Sequence, residues 1–381
     1  MLHGCDTTPG AYVHVPFCSQ MCPFCPYNKV RAQADLARRY FTGLGTEMAW
    51  YADALPGAGF ASFTSLYIGG GTPTLYPAAL ARIVEALPVT GERAVEVLPT
   101  HATPRGLERL CEAGITAVSI GAQSFHDEVL ARLQRPHTAA HSLAAVGAAV
   151  GRFSCVDVDL IVDVAWDDDP STAGAFLDDL QRCFDMGVDQ VSTYPLMRFG
   201  YTPFGTARHS HRREHRVLRQ AADAADRAGY RRTSVWTFSR PAAPTYTSIT
   251  RRRFVGMGAG SASFTGRDFY VNHFGLHAYD ADVQAGRLPV ARWLRLGALA
   301  GSTYDAFWQA YSGSVLGHRL GPRAFDVYHD LERWVTYHLI EPLWAEMLTE
   351  HDDPGWALPE QARHSRVWSA ASALFERPRA A

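Results

Sequence analysis

Between residues 11 and 240 of this 381-residue chain, short β-rich runs alternate with longer helical stretches. That alternation restricts the fold more than any other feature. Strands are expected at Ala11–Val15, Ser65–Ile68, Ala94–Leu98, Ala117–Ile120, Val156–Ile161, Gln190–Tyr194 and Arg231–Trp236. Between them, helices are expected at Asp35–Ala52, Ala78–Leu87, Pro104–Ala113, Ala139–Val150, Thr172–Met186 and His211–Ala228. Repeated βα units imply an α/β fold with a parallel sheet, open or closed into a barrel. Ligands in such folds sit at the C-terminal ends of the strands. Here those ends carry Gly69-Gly70-Gly71, Glu96, Gly121-Ala122-Gln123 and Asp159, so these residues should meet on one rim. Past about residue 240 the repeat stops. The expected division is a core with its extension over 1–288 and a small, mostly helical C-terminal domain over 289–381.

Hydrophobic residues make up 47% of the chain, enough for a sizeable core. A formal net charge of −2 gives no electrostatic basis for binding nucleic acid or anionic lipid. No apolar run reaches the roughly 18–20 residues that a membrane helix needs, and Met1–Gly10 lacks the pattern of a secretory signal. The expectation is a cytoplasmic protein with a small-molecule substrate and neither a nucleic-acid nor a membrane partner.

Of seven cysteines, three are packed into Cys18-Ser-Gln-Met-Cys22-Pro-Phe-Cys25. An odd, clustered set reads as metal ligation rather than a disulfide framework. Three thiolates can hold three irons of a [4Fe–4S] cube and leave the fourth open. A cluster kept only for electron transfer normally takes four cysteines. The rival is structural zinc, with His14 completing a Cys₃His set. Cys111, Cys155 and Cys183 read as buried small hydrophobes, whereas Cys5 is too close to the chain start to judge, a loose thiol being one option. The glycines after Tyr67-Ile68 suit a close backbone approach, with N–H groups for a carboxylate or phosphate, or simply a tight turn. Glu96, Gln123 and Arg135 each read alone as surface polar groups. Asp159 lies in an apolar strand, where an unpaired carboxylate is costly.

Taken in order, these segments resemble the radical S-adenosylmethionine (SAM) superfamily, within it the oxygen-independent coproporphyrinogen oxidase and heme-chaperone family. The resemblance runs from about Tyr12 to Ser263. It rests on Tyr12-Val-His-Val-Pro-Phe-Cys18, the cysteine spacing, Gly69-Gly-Gly-Thr-Pro73, Ser119-Ile-Gly-Ala-Gln-Ser-Phe125, Leu133-Gln-Arg-Pro-His137, Asp159-Leu-Ile161, Val191-Ser-Thr-Tyr-Pro-Leu196 and Gly256-Met-Gly-Ala-Gly260. It implies a partial (β/α)6 TIM-like barrel. Cys18, Cys22 and Cys25 would hold a [4Fe–4S] cluster whose fourth iron is chelated by SAM. Gly70, Gly71 and Thr72 would contact its methionyl part, with Tyr12 and Phe24 beside cluster and cofactor. Glu96, Gln123, Arg135 and Asp159 would line one or two SAM sites. Tyr12, Glu96 and Gln123 are the implied catalytic residues. Reductive cleavage of SAM would give methionine and a 5′-deoxyadenosyl radical, with flavodoxin or ferredoxin as a suitable reducing partner.

Departures from the family pattern indicate a branch. Pro26-Tyr27 follow Cys25 where the oxidase carries a further cysteine, and only seventeen residues precede Cys18. Thr247–Phe254 lacks the histidine usual in heme chaperones, and Val162-Asp-Val-Ala-Trp166 replaces the family's Tyr-Gly-Leu-Pro. The cofactor face is kept and the substrate face altered. That favours the class C methyltransferase or cyclopropanase branch, which uses two SAM molecules to transfer a methyl or methylene group to an sp² carbon of a secondary metabolite. Heme chaperoning and porphyrin oxidation are the alternatives. Substrate contacts would then come from Trp166, Tyr194, Arg198, Trp236 and Arg251–Arg253.

Overall fold

The structure is a computed structural model that describes residues 2, 5, 7–162, 171–196, 211–244, 252–315, 318–319 and 324–335. Six parallel strands form its centre: β1 (Gly10–Val15), β2 (Leu66–Gly70), β3 (Arg93–Val97), β4 (Ala117–Gln123), β5 (Cys155–Val162) and β6 (Gln190–Pro195). After β1 to β3 come α1 (Ala34–Gly57), α2 (Pro77–Ala86) and α3 (Pro104–Glu112). β4 leads to the short α4 (Asp127–Arg132) and then α5 (Ala139–Ala149); β5 and β6 lead to α6 (Ser171–Asp185) and α7 (His211–Arg227). This is the expected partial (β/α)6 barrel, with the first six expected strands and the six expected helices within a few residues of their places.

Period-two alternation explains the two faces of the sheet. Ala11, Val13 and Val15, Leu66 and Ile68, Val95, Val118 and Ile120, Val156 and Val158, and Val191 belong to the main apolar core that the helices cover. The alternate residues include Tyr12, Tyr67, Ala94, Ala117 and Cys155, which pack as a separate cluster. Helix starts are fixed locally. The Thr103 hydroxyl accepts from Gly106 N–H at 3.1 Å with Pro104 opening α3, and Thr138 forms a capping box with His141 at the start of α5.

The sheet continues past the barrel on both sides. β7 (Arg231–Arg232) and β8 (Thr237–Ser239) extend it beyond β6, and β9 (Phe254–Met257), β10 (Ala262–Phe264), β11 (Asp268–Asn272) and β12 (Val290–Arg295) extend it beyond β1. The twelve-strand order is β12-β11-β10-β9-β1-β2-β3-β4-β5-β6-β8-β7. β9 runs parallel to β1, whereas β8 is antiparallel to β6. The single strand expected at Arg231–Trp236 is instead a tight antiparallel turn. Ser234 Oγ donates to Thr237 Oγ1 at 2.8 Å and Thr233 N–H donates to Thr237 O at 2.9 Å, which reverses the chain. α8 (Leu276–Gln284) packs on α1, and β12, which follows the expected division at 288/289, completes the edge of the main sheet. α9 (Ala298–Tyr311) and α10 (Ala324–Val335) follow β12. No helix among the described residues is long and apolar enough to cross a membrane.

Cys155 and Cys183 are fully buried, as expected, but Cys111 is exposed. The inward stripe of α3 is Leu107 and Leu110, and the next residue is carried about 100° around the helix, off that stripe.

Candidate active site

The three clustered cysteines lie on a loop that the rest of the chain ties down. Phe17–Cys18 pairs in parallel with Val30–Arg31, closing the loop at its base. Val30 N–H donates to Pro16 O at 2.7 Å and Ala32 N–H to Cys18 O at 2.9 Å. Inside it, buried Asn28 donates through Nδ2 to Ala259 O at 3.1 Å and to Phe274 O at 3.0 Å, and the buried Lys29 ammonium donates to Cys25 O at 2.6 Å. His14 sits beneath it. Its Nδ1 bonds the Tyr12 hydroxyl at 2.7 Å and its Nε2 bonds Asn28 O at 2.8 Å. Both ring nitrogens are engaged, so His14 is not the fourth ligand of a zinc site. Burial lowers its pKa to about 4, so the ring is neutral.

All three thiols line one cavity of about 210 Å³ at the C-terminal rim of the strands. Also in its wall are Phe24, Gly70, Gly71, Thr72, Glu96, Gln123, Arg135 and Asp159. Residues from four strand ends thus meet the cysteine loop, as the position of ligands in parallel α/β folds requires. The sulfurs are set around the wall. Among the described residues no three His, Cys, Asp or Glu side chains are grouped to hold one metal ion. Three thiolates facing one cavity suit a cube, in which each binds its own iron. The Cys18 thiol is pushed up to about 12 by burial and by neighbouring Cys25. A free thiolate is therefore disfavoured there and needs cationic partners. Two donors already face the sulfurs: Arg135 Nη1 at 3.5 Å from Cys22 Sγ and Thr72 Oγ1 at 3.8 Å from Cys18 Sγ. Arg135 Nε is buried without a hydrogen-bond partner, which suits an anionic group of a ligand.

The glycine turn is used differently from the sequence expectation. Its N–H groups are taken up by the chain itself. Gly70 N–H donates to Glu96 Oε2 at 3.1 Å, Gly71 N–H to Val15 O at 2.8 Å and Thr72 N–H to Phe17 O at 2.8 Å. Absence of side chains is what matters. A Cβ on Gly69 would lie 2.6 Å from Glu96 Oε1, one on Gly71 2.6 Å from Phe17 O, and one on Gly70 2.6 Å from the His14 ring. Gly70 also has φ +112°, which disfavours any other residue. The carboxylate held by this turn is thus that of Glu96, which also accepts from the Tyr67 hydroxyl at 2.6 Å. Burial raises the Glu96 carboxyl to about 7, against the pull of Tyr67. Asp159 is likewise raised by burial, opposed by the Ser119 hydroxyl at 2.6 Å and by the Arg135 charge.

Tyr12 is the one proposed cofactor residue outside the cavity wall. It stacks on Tyr67 at 5.9 Å between ring centroids. Of the expected substrate contacts, Tyr194 lines the cavity. Trp236 does not; it is 2% exposed and packs edge-on to Tyr328. Arg253 pairs with Asp305 at 3.7 Å and lies over the Phe264 ring, which makes it a packing residue. Arg252 is described but lines no part of the cavity. Trp166, Arg198 and Arg251 lie outside the described residues. Sequence reasoning missed Tyr67 as a site residue. Its signal was alternation: Tyr67 and Gly69 share one face of β2, so a residue paired with the glycine turn had to face the cavity.

Residues 12–168 match the model of the Radical SAM superfamily. The chain is 28% identical over 211 residues to the heme chaperone HemW of Haemophilus influenzae, a match covering 50% of this chain and 53% of the chaperone. It thus spans about half the length of that relative. It is 28% identical over 313 residues to the oxygen-independent coproporphyrinogen III oxidase of Paracoccus denitrificans, covering 74% of this chain and 68% of the oxidase. Among solved structures, the coproporphyrinogen III oxidase HemN of Escherichia coli superposes with a TM-score of 0.68 at 20% identity, over 89% of this chain and 82% of that one.

Proposed function

We propose that this chain, whose residues 12–168 are a radical SAM domain, is an enzyme that holds a [4Fe–4S] cluster on Cys18, Cys22 and Cys25, cleaves SAM reductively, and acts on a tetrapyrrole. The observation that carries the first part is the convergence of those cysteines with Gly70–Thr72, Glu96, Gln123, Arg135 and Asp159 on one cavity. When bound, the reduced cluster supplies the electron that splits SAM into methionine and a 5′-deoxyadenosyl radical. The chain's own share is binding, orientation and exclusion of water. Arg135, with a donor on Cys22 and a buried orphan Nε, is suited to a carboxylate. Glu96 and Asp159 are suited to an amino or hydroxyl donor. Tyr27, Tyr194, Ile161 and Leu196 form an aromatic and apolar part of the wall for a flat substrate.

The tetrapyrrole class is supported by the relatives' names, which concern heme and coproporphyrinogen III. Methyl or methylene transfer with a second SAM, the activity favoured by the sequence departures, has no counterpart in those two relatives, so the reading moves to the porphyrin side. A non-enzymatic heme carrier is the second reading, favoured by the likeness to HemW. Anaerobic reconstitution with iron and sulfide, then dithionite, SAM and candidate tetrapyrroles, tests all three. The proposed enzyme yields 5′-deoxyadenosine and consumes tetrapyrrole. A carrier gives a stoichiometric heme spectrum with little SAM turnover, and methyl transfer releases S-adenosylhomocysteine. A fully loaded cluster that leaves SAM intact overturns the proposal.

A further inference from the structure

Gln123 reaches the cavity wall from a backbone that non-glycine residues rarely adopt, with φ +68°. Such a conformation is unfavourable for a non-glycine residue and persists only where the surroundings impose it. The β4–β5 register shifts between Ile120 and Gln123, so the departure from the strand begins here. What imposes it is visible on both sides. Before Gln123, Arg135 Nη2 donates to Gly121 O at 2.9 Å and His137 Nε2 bonds Ala122 O at 3.0 Å. After it, one carboxylate takes two donors: Ser124 Oγ–H donates to Asp179 Oδ2 at 2.6 Å and Phe125 N–H to Asp179 Oδ1 at 2.8 Å, with the His126 ring 3.5 Å from the same Oδ1. Ser124 Oγ in turn accepts from His126 N–H at 3.1 Å.

Asp179 belongs to α6, in the helix layer outside the strands, and is only 2% exposed. It lines no part of the cavity. Its helix is fixed by Phe176, Leu180 and Cys183 in the main core. We infer that Asp179 is a positioning residue: by anchoring Ser124 and Phe125 to α6, it forces the chain to turn at Gln123 and aims that amide at the cofactor. The chain is held from the cavity side by Arg135 and from the helix layer by Asp179, and Gln123 absorbs the turn between them. This rests on the reading of the cavity as a SAM site.

The test uses the reconstituted holoprotein with Asp179→Asn, Gln123→Ala and the double variant, together with hydrogen–deuterium exchange across residues 121–126. Asparagine keeps one acceptor but presents an amide to the other donor, so SAM affinity should fall about tenfold, the scale of a lost charged hydrogen bond. Exchange at the Phe125 amide should accelerate beyond what the accompanying fall in the thermal midpoint explains. In the Gln123→Ala background the same change should cost less than about twofold, because the two residues act through one interaction. Ser124→Ala, which removes one arm only, should give an intermediate loss and serves if Asp179→Asn unfolds. Unchanged exchange across 121–126, or a tenfold loss that persists undiminished without the Gln123 side chain, overturns the inference. Wild-type holoprotein that does not bind SAM overturns the site reading instead, and the exchange result then still decides whether Asp179 sets this turn.

Discussion

Glu47 offers a test that depends on neither cofactor nor substrate. It lies in the middle of α1 and is fully buried, accepting from Gly258 N–H at 2.8 Å, Asn272 Nδ2 at 2.8 Å and the Tyr279 hydroxyl at 2.6 Å. Burial raises its carboxyl from the ordinary 4.5 to about 7, with the three donors pulling the other way. The folded chain therefore binds this proton more tightly than the unfolded chain. Its contribution to stability is complete below pH 4.5 and is lost as the pH rises through 7. A displacement of that size corresponds to about 3 kcal/mol. Glu47→Gln removes the titration and turns an NH₂ group toward one of the donors, at a cost of about 1–3 kcal/mol near pH 5. Urea unfolding followed by circular dichroism at pH 5, 6, 7 and 8 reads both effects. The wild type should lose stability across that range while the variant stays nearly flat, so that the difference between them shrinks or reverses by pH 8. Parallel curves would refute the reasoning, because they would mean that Glu47 keeps one charge state throughout.

Other perturbations report on the site itself. Glu96→Gln should weaken SAM binding about tenfold in calorimetry; wild-type affinity should also fall as the pH drops through 7 and the carboxylate is protonated, a step the variant should lack. Gly70→Ala meets both a positive φ and the His14 ring at 2.6 Å. It should lower the unfolding midpoint and iron retention together, with strain alone on the order of 1–3 kcal/mol. Iodoacetamide should label exposed Cys111 in the native protein, with buried Cys155 and Cys183 reacting only after unfolding, as peptide mass spectrometry would read.

The barrel was legible because each parallel strand is a short run whose apolar face must be covered by the helix that follows. Val156–Ile161 and Thr172–Met186 are one such pair, found as Cys155–Val162 and Ser171–Asp185. Pattern could also place Glu96, Gln123 and Asp159 on one rim, since strand direction alone puts them there. What sequence could not supply was the division of labour among polar groups. Nothing local to the glycine turn shows that its N–H groups are spent on Val15, Phe17 and Glu96. Asp179 reads as an ordinary helix residue, because its partners lie more than fifty positions earlier. The antiparallel turn at Thr233–Thr237 escaped for a simpler reason: Arg231–Trp236 has β propensity, but a serine hydroxyl bonds across it and the turn wins.

The stitching of Gly71 to Val15 and of Thr72 to Phe17 makes the glycine turn and the first cysteine a single mechanical piece. Iron retention and cofactor affinity then cease to be separate properties. Whatever settles the turn also settles Cys18, and by thermodynamic reciprocity each occupant strengthens the hold on the other. Loading should consequently be cooperative, and protein saturated with SAM should release its iron to a chelator more slowly than protein without it.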